Sequence, residues 1–244
     1  MSSNNFYYFI DSRNKIYESN ADFSISESDF NLEPGVSVSI ALDECVFYNT
    51  QYPINSNNNT FIFQENDTAT NITATLTPGN YTGSSIATEL QTQMNSVGSN
   101  TYSVSYDSGT GKLIISETLP DNFKLVSINE IFGFEIMTSF EATRTGDNPA
   151  VLSGVEYVDL MLPSLISNNV STNNNRNGII KRIPLDLPWG SLIVYKSQES
   201  DQSVIINKEY LNNIQVRLLN PDGTVFDLRE NSHLSIVLKC TYQL

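Results

Sequence analysis

Apolar and polar positions alternate through most of this chain, and helical spacing occurs in one place. After Pro34-Gly35, the residues Val36, Val38, Ile40 and Leu42 alternate with Ser37, Ser39, Ala41 and Asp43, which predicts a long strand with one buried and one wetted face. The same period of two recurs at Phe23/Ile25, Phe61/Phe63, Ile72/Ala74/Leu76, Tyr102/Val104/Tyr106 and Leu113/Ile115, and again around Phe123, Leu125 and Val126. Further strands are predicted over Val155 to Leu162, Ile179 to Leu187, Ser191 to Ser197, Leu211 to Leu219 and His233 to Tyr242. Turn residues separate them, most clearly Asp107-Ser108-Gly109-Thr110-Gly111, Pro188-Trp189-Gly190 and Asn220-Pro221-Asp222-Gly223-Thr224. The helical exception is Ile86, Leu90 and Met94 at i, i+4, i+8, with Thr82 placed to cap the helix and Gly98 to end it. Asn49 to Asn59 reads as a polar loop, Thr143 to Pro149 as a linker and Ser167 to Gly178 as a long mobile loop.

At the start of the chain, Phe6-Tyr7-Tyr8-Phe9-Ile10 forms a dense aromatic strand. Aromatic side chains are rarely left to solvent, so this strand either pairs within the fold or reaches a neighbouring molecule. About eight strands at sandwich-like spacing surround an inserted α+β segment, roughly residues 66–145. If the first long strand and the last pair antiparallel around Leu42 and Leu238, Cys45 falls near Ser235 and about five residues from Cys240. That is roughly 15 Å, too far for a disulfide, so two free, packed thiols are expected.

Composition narrows the function. Charged residues make up only 16%, with Asn, Ser and Thr supplying the polar surface, as suits turns and exposed strand faces. The net charge of −14 repels phosphate backbones, and the basic residues form no stripe, so direct nucleic-acid binding is not expected. No apolar run is long enough for a membrane span. Met1 to Asn5 lacks the pattern of a secretory leader, so the expectation is synthesis in a reducing cytoplasm, with the Asn-x-Ser/Thr sites at Asn58, Asn66, Asn71, Asn80 and Asn169 incidental.

Candidate chemistry is sparse. His233, the sole histidine, opens a strand, and no nucleophile motif accompanies it. The carboxylates Asp43-Glu44 and Asp227/Glu230 read as surface charge, while Asp107 and Asp222 offer oxygen ligands without an EF-hand pattern. Trp189 could serve as a sugar platform or as a corner packing residue. No catalytic residue, metal site or cofactor site is therefore expected.

The order of motifs resembles that of the penton, or minor capsid, proteins of virophages, polinton-like viruses and related large DNA viruses. The residues that carry the likeness are Ile10-Asp11-Ser12-Arg13-Asn14-Lys15 with Asp22-Phe23-Ser24-Ile25, and Tyr52-Pro53-Ile54-Asn55 leading to Asn59-Thr60-Phe61-Ile62-Phe63. Next come Leu76-Thr77-Pro78-Gly79-Asn80-Tyr81-Thr82, then Tyr106-Asp107 with Gly109-Thr110-Gly111-Lys112-Leu113, and Phe132-Gly133-Phe134, in which Phe132 stands where leucine is usual. The match spans about the first 140 residues, and the remainder agrees only in pattern.

The resemblance implies a single jelly-roll sandwich built from residues 1–65 and 146–244, with an N-terminal arm over 1–20 and a small α+β domain inserted at 66–145. It also implies a non-enzymatic virion protein: homopentamers at the fivefold vertices of an icosahedral shell, set among major capsid proteins of the double-jelly-roll type, with no cofactor. The strand Phe6, Tyr7, Tyr8, Phe9 and Ile10 is the first candidate for a contact between subunits. The alternative reading is a carbohydrate- or receptor-binding β-sandwich module.

Overall fold

The computed structural model describes residues 5–15, 17–26, 37–118, 122–127, 130–165, 170–171, 176–198, 203–206, 213–229 and 231–243. Pro34, Gly35, Val36, Leu211 and much of the loop expected over 167–178 fall outside these. The chain divides into two compact units, residues 1–51 with 155–244, and residues 52–154. In chain order the strands of the first unit before the insertion are β1 (Asn5–Asp11), β2 (Tyr17–Glu18), β3 (Asp22–Ser26) and β4 (Ser37–Tyr48). The second unit holds β5 (Thr60–Glu65), β6 (Ile72–Thr75), α1 (Gly83–Val97), β7 (Tyr102–Asp107), β8 (Lys112–Glu117), β9 (Phe123–Leu125) and β10 (Thr143–Thr145). The first unit then resumes with β11 (Tyr157–Met161), β12 (Val170–Ser171), β13 (Arg176–Asn177), β14 (Ile179–Pro184), β15 (Leu192–Lys196), β16 (Val204–Ile206), β17 (Asn213–Leu219) and β18 (Ser235–Gln243).

The protein is mainly β, with a jelly-roll sandwich as its first unit. One sheet runs β1-β18-β4-β15, with β16 also pairing β4, and the other runs β14-β11-β17-β3-β2. Strands β3 and β4 follow one another in sequence yet lie in different sheets, where they pair antiparallel with β17 and β18 respectively. A ribbon of paired strands that passes from one sheet to the other in this way is the wrap of a jelly roll. The turn at Pro188-Trp189-Gly190 also changes sheets, since β14 pairs with β11 and β15 with β4. Both sheets turn alternate side chains inward onto a shared core, to which β4 gives Val38, Ile40, Leu42, Cys45 and Phe47 and β18 gives Ile236, Leu238 and Cys240. Phe47 meets Phe226 edge to face at 5.7 Å.

The second unit has its own core. Helix α1 places Ile86, Leu90 and Met94 against it, as the four-residue spacing requires. Thr82 caps the helix in a reciprocal box with Ser85, and Gly98 closes it with its N–H on the Met94 carbonyl at 2.9 Å. Four edge-to-face pairs among Phe61, Phe132, Phe134, Phe63, Tyr102 and Phe123, at 5.5 to 5.9 Å, form the centre. Strand β5, placed by the sequence in the sandwich, contributes Phe61 and Phe63 here, and residues 146–154 also belong to this unit. Thr143 to Pro149 is not a linker: β10 pairs with β8, and Asp147 accepts from the Glu135 N–H at 2.9 Å and from the Arg144 guanidinium. Its polar, three-residue strand lacks the apolar alternation that would announce it.

Candidate functional site

The aromatic strand is resolved by its register. All seven residues of β1 pair with β18, from Asn5 opposite Thr241 to Asp11 opposite Ser235. Among the described residues, β1 ends this sheet. Alternation then divides the five candidate residues. Ile10 is 1% exposed, and Phe6 and Tyr8 pack on the same core, whereas Tyr7 faces solvent and Phe9 is 74% exposed. Phe6 additionally meets Tyr242 at 5.2 Å between ring centres.

A clasp at the end of β1 holds this strand in place. Ser12, fully buried, donates its N–H to the Leu234 carbonyl at 2.9 Å, and its hydroxyl oxygen accepts the Leu234 N–H at 3.1 Å. Asp11 caps the following 3-10 turn and binds the Arg13 guanidinium, whose hydrogen bonds hold its carboxyl below the ordinary carboxylate range. Lys15 reaches Asn20, which donates to the Ser232 carbonyl at 2.7 Å. Sequence reasoning missed Ser12 as a structural partner, because its counterpart lies more than two hundred residues away and no local pattern signals it.

The residues singled out for chemistry are structurally occupied. The exposed His233 ring nitrogen Nδ1 lies 3.4 Å from the Ser12 hydroxyl, but that hydroxyl is enclosed and held by Leu234, a poor position for a nucleophile. Asp107 accepts from the Thr110 hydroxyl at 2.7 Å and the Gly109 N–H at 2.9 Å, which lower its pKa and engage both carboxylate oxygens within the turn. Asp222 accepts the Thr224 N–H at 2.9 Å and the Thr224 hydroxyl at 2.7 Å, both at one carboxylate oxygen within its turn. The Trp189 indole N–H donates to the Thr50 carbonyl at 3.2 Å, so its polar edge serves the corner of the fold. Glu44 pairs with Lys196 and Asp227 with Arg229, each at 3.5 Å; Glu230 falls outside the described residues. Among the described residues, no three His, Cys, Asp or Glu side chains are grouped to hold a metal ion. No helix among them is long and apolar enough to cross a membrane.

Both cysteines are buried free thiols. The pairing is centred on Leu42 and Leu238, and a bulge between Val237 and Leu238 sets Cys45 opposite Ile236, one position from the expected Ser235, with Cys240 opposite Ile40. Burial pushes the Cys240 thiol up to about 12 and raises that of Cys45 as well.

Compared by sequence, the chain matches no protein-family model and no curated protein. Compared by fold, it is similar to the crystal structure of the mavirus penton protein over the full length of both chains, with a TM-score of 0.59 and 11% identity. At that identity the likeness is one of fold.

Proposed function

We propose that this chain is a structural protein of a virus particle, a penton that occupies the fivefold vertices of an icosahedral capsid as a homopentamer. The observation that carries this reading is the full-length similarity of fold to the mavirus penton protein, which spans both units. The order of motifs in the sequence points the same way, and His233, Asp107, Asp222 and Trp189 serve the fold. In this reading the protein has no catalytic role and no cofactor, and its partners are four further copies of itself and a major capsid protein of the double-jelly-roll type. It is made in the host cytoplasm and resides in the virion. The outward residues of the Phe6–Ile10 strand contribute to its contacts. A net charge of −14 keeps the pentamers soluble and leaves DNA unbound.

Native mass spectrometry of the full chain across salt and protein concentration, alone and with the cognate major capsid protein, tests this. The expected species is a ring of about 136 kDa, five chains of 27.2 kDa. A chain that neither reaches fivefold mass nor joins the shell protein at vertices would end the proposal.

A further inference from the structure

The outer face of the β1-β18-β4-β15 sheet is unusual for a solvated surface. In register across it, Phe9 lies opposite Val237 and Val237 opposite Glu44; Tyr7 lies opposite Lys239 and Lys239 opposite Ala41. At the other edge Leu192 lies opposite Tyr48, Val194 opposite Val46, and Ile205 opposite Ser39. Since the inward residues of these strands are buried, the period of two turns this second set outward. Tyr7, Phe9, Tyr48, Leu192, Val194 and Ile205 are all exposed, Ile205 at 58%. Together they leave on the order of 600 Å² of apolar side chain in water, given the ~150–250 Å² that an aromatic side chain buries. Summed over the face, that is most of the roughly 800 Å² per partner of a standard interface, in which apolar and polar side chains are interleaved as they are here.

We infer that this face is the docking surface for a second copy of the chain. Charge identifies the occupant. Lys196 and Lys239 balance Glu44 and its neighbour Asp43, the extra residue of the β4 bulge, and Asp11, in the same row as Tyr7 and Phe9, is paired with Arg13, so the described residues of the face carry no net charge on a chain of −14. A basic partner would gain more on the acidic remainder of the surface. A partner that shares the negative charge meets least repulsion here. In a ring this face meets a different surface of the next subunit, a head-to-tail contact; to that extent the inference rests on the vertex reading.

The test compares the full-length wild type with Phe9→Lys and Val194→Lys by sedimentation velocity and native mass spectrometry, with circular dichroism as the check on folding. Hydrogen exchange on the wild type, dilute against concentrated, supplies a measurement independent of the variants. Association of the wild type is expected to weaken roughly 100-fold in either variant, as for loss of a central interface residue, with unchanged dichroism. Amides of residues 5–11 and 192–196 are expected to gain protection on association. A wild type that stays monomeric at its solubility limit, variants that associate as tightly as wild type, or protection confined to other strands would overturn the inference. A pentamer that survives both substitutions rejects this face and leaves the vertex reading standing. A dimer or trimer abolished by them keeps the face and rejects fivefold assembly.

Discussion

Glu65 ends β5 at 4% exposure, and its carboxylate receives the Ser99 N–H at 2.9 Å, the Asn100 N–H at 3.2 Å and the Tyr102 hydroxyl at 2.8 Å. Burial, followed by the hydrogen bond to Glu65, raises the Tyr102 phenol, so it stays protonated in the folded protein wherever exposed tyrosines ionise. Glu65→Ala removes an acceptor from three donors at once and is expected to destabilise the second unit by about 3 kcal/mol or more in urea denaturation; Tyr102→Phe should cost about 1–2 kcal/mol. Asp147 gives a pH dependence. The Glu135 N–H, and after it Arg144, lower its pKa below the ordinary 3.8. A carboxylate whose folded pKa is depressed adds stability above its unfolded pKa, and that stability is lost as pH falls through the folded value. The stability of the second unit should therefore drop below about pH 4, and Asp147→Asn should be less stable at neutral pH and flatter across the acid range. Ser12→Ala leaves the buried Leu234 N–H without its acceptor and is expected to cost about 1–3 kcal/mol in the first unit.

At the scale of elements, the start of α1 offers the plainest test: Thr82→Ala should cost about 1 kcal/mol in thermal unfolding. Gly133 sits at φ +74°, with the Asn148 carbonyl oxygen 2.1 Å from where a Cβ would stand, so Gly133→Ala should destabilise further than a capping change. Both residues fall in motifs legible from sequence, and the structure explains why. Thr77 to Thr82 form a turn in which the Tyr81 hydroxyl donates to the Thr77 carbonyl and Glu89 accepts the Thr77 N–H, ahead of the cap. Such local chemistry, like the four-residue stripe of α1 and the alternation of β4, is written in neighbouring residues. What sequence did not convey was set by distant partners. Strand β10 exists because β8 offers it a ladder, the one-residue bulge shifts Cys45 against β18, and adjacent strands β14 and β15 part into different sheets. The turn at Asn66-Asp67 also escaped notice, although both residues tolerate the left-handed backbone they adopt, at φ +53° and +57°. Phe6 to Ile10 is one aromatic run in the sequence, and alternation along β1 divides it into an inward trio and an outward pair.

For the molecule as a whole, the separate core of residues 52–154 predicts an autonomous folding unit. Expressed alone, that segment should unfold cooperatively by circular dichroism, and a featureless melt would count against it. The division of β1 into inward and outward side chains changes how its role is tested. Removing residues 1–10 takes Ile10 and the packed rings of Phe6 and Tyr8 from the core, so loss of assembly after such a deletion would confound contact with folding. Substitution of the outward Phe9 separates the two.

The cysteines have a consequence for the compartments this chain can occupy. Four to five rungs apart on adjoining strands, enclosed and held as neutral thiols, Cys45 and Cys240 can neither bridge nor be readily attacked. The thiol state of the folded chain is thus the same in a reducing cell interior and in an oxidising exterior. On the proposed vertex reading, a shell built from it could cross between the two without disulfide formation in this subunit. Treatment of the folded protein with a mild oxidant should leave both thiols available to alkylation after denaturation.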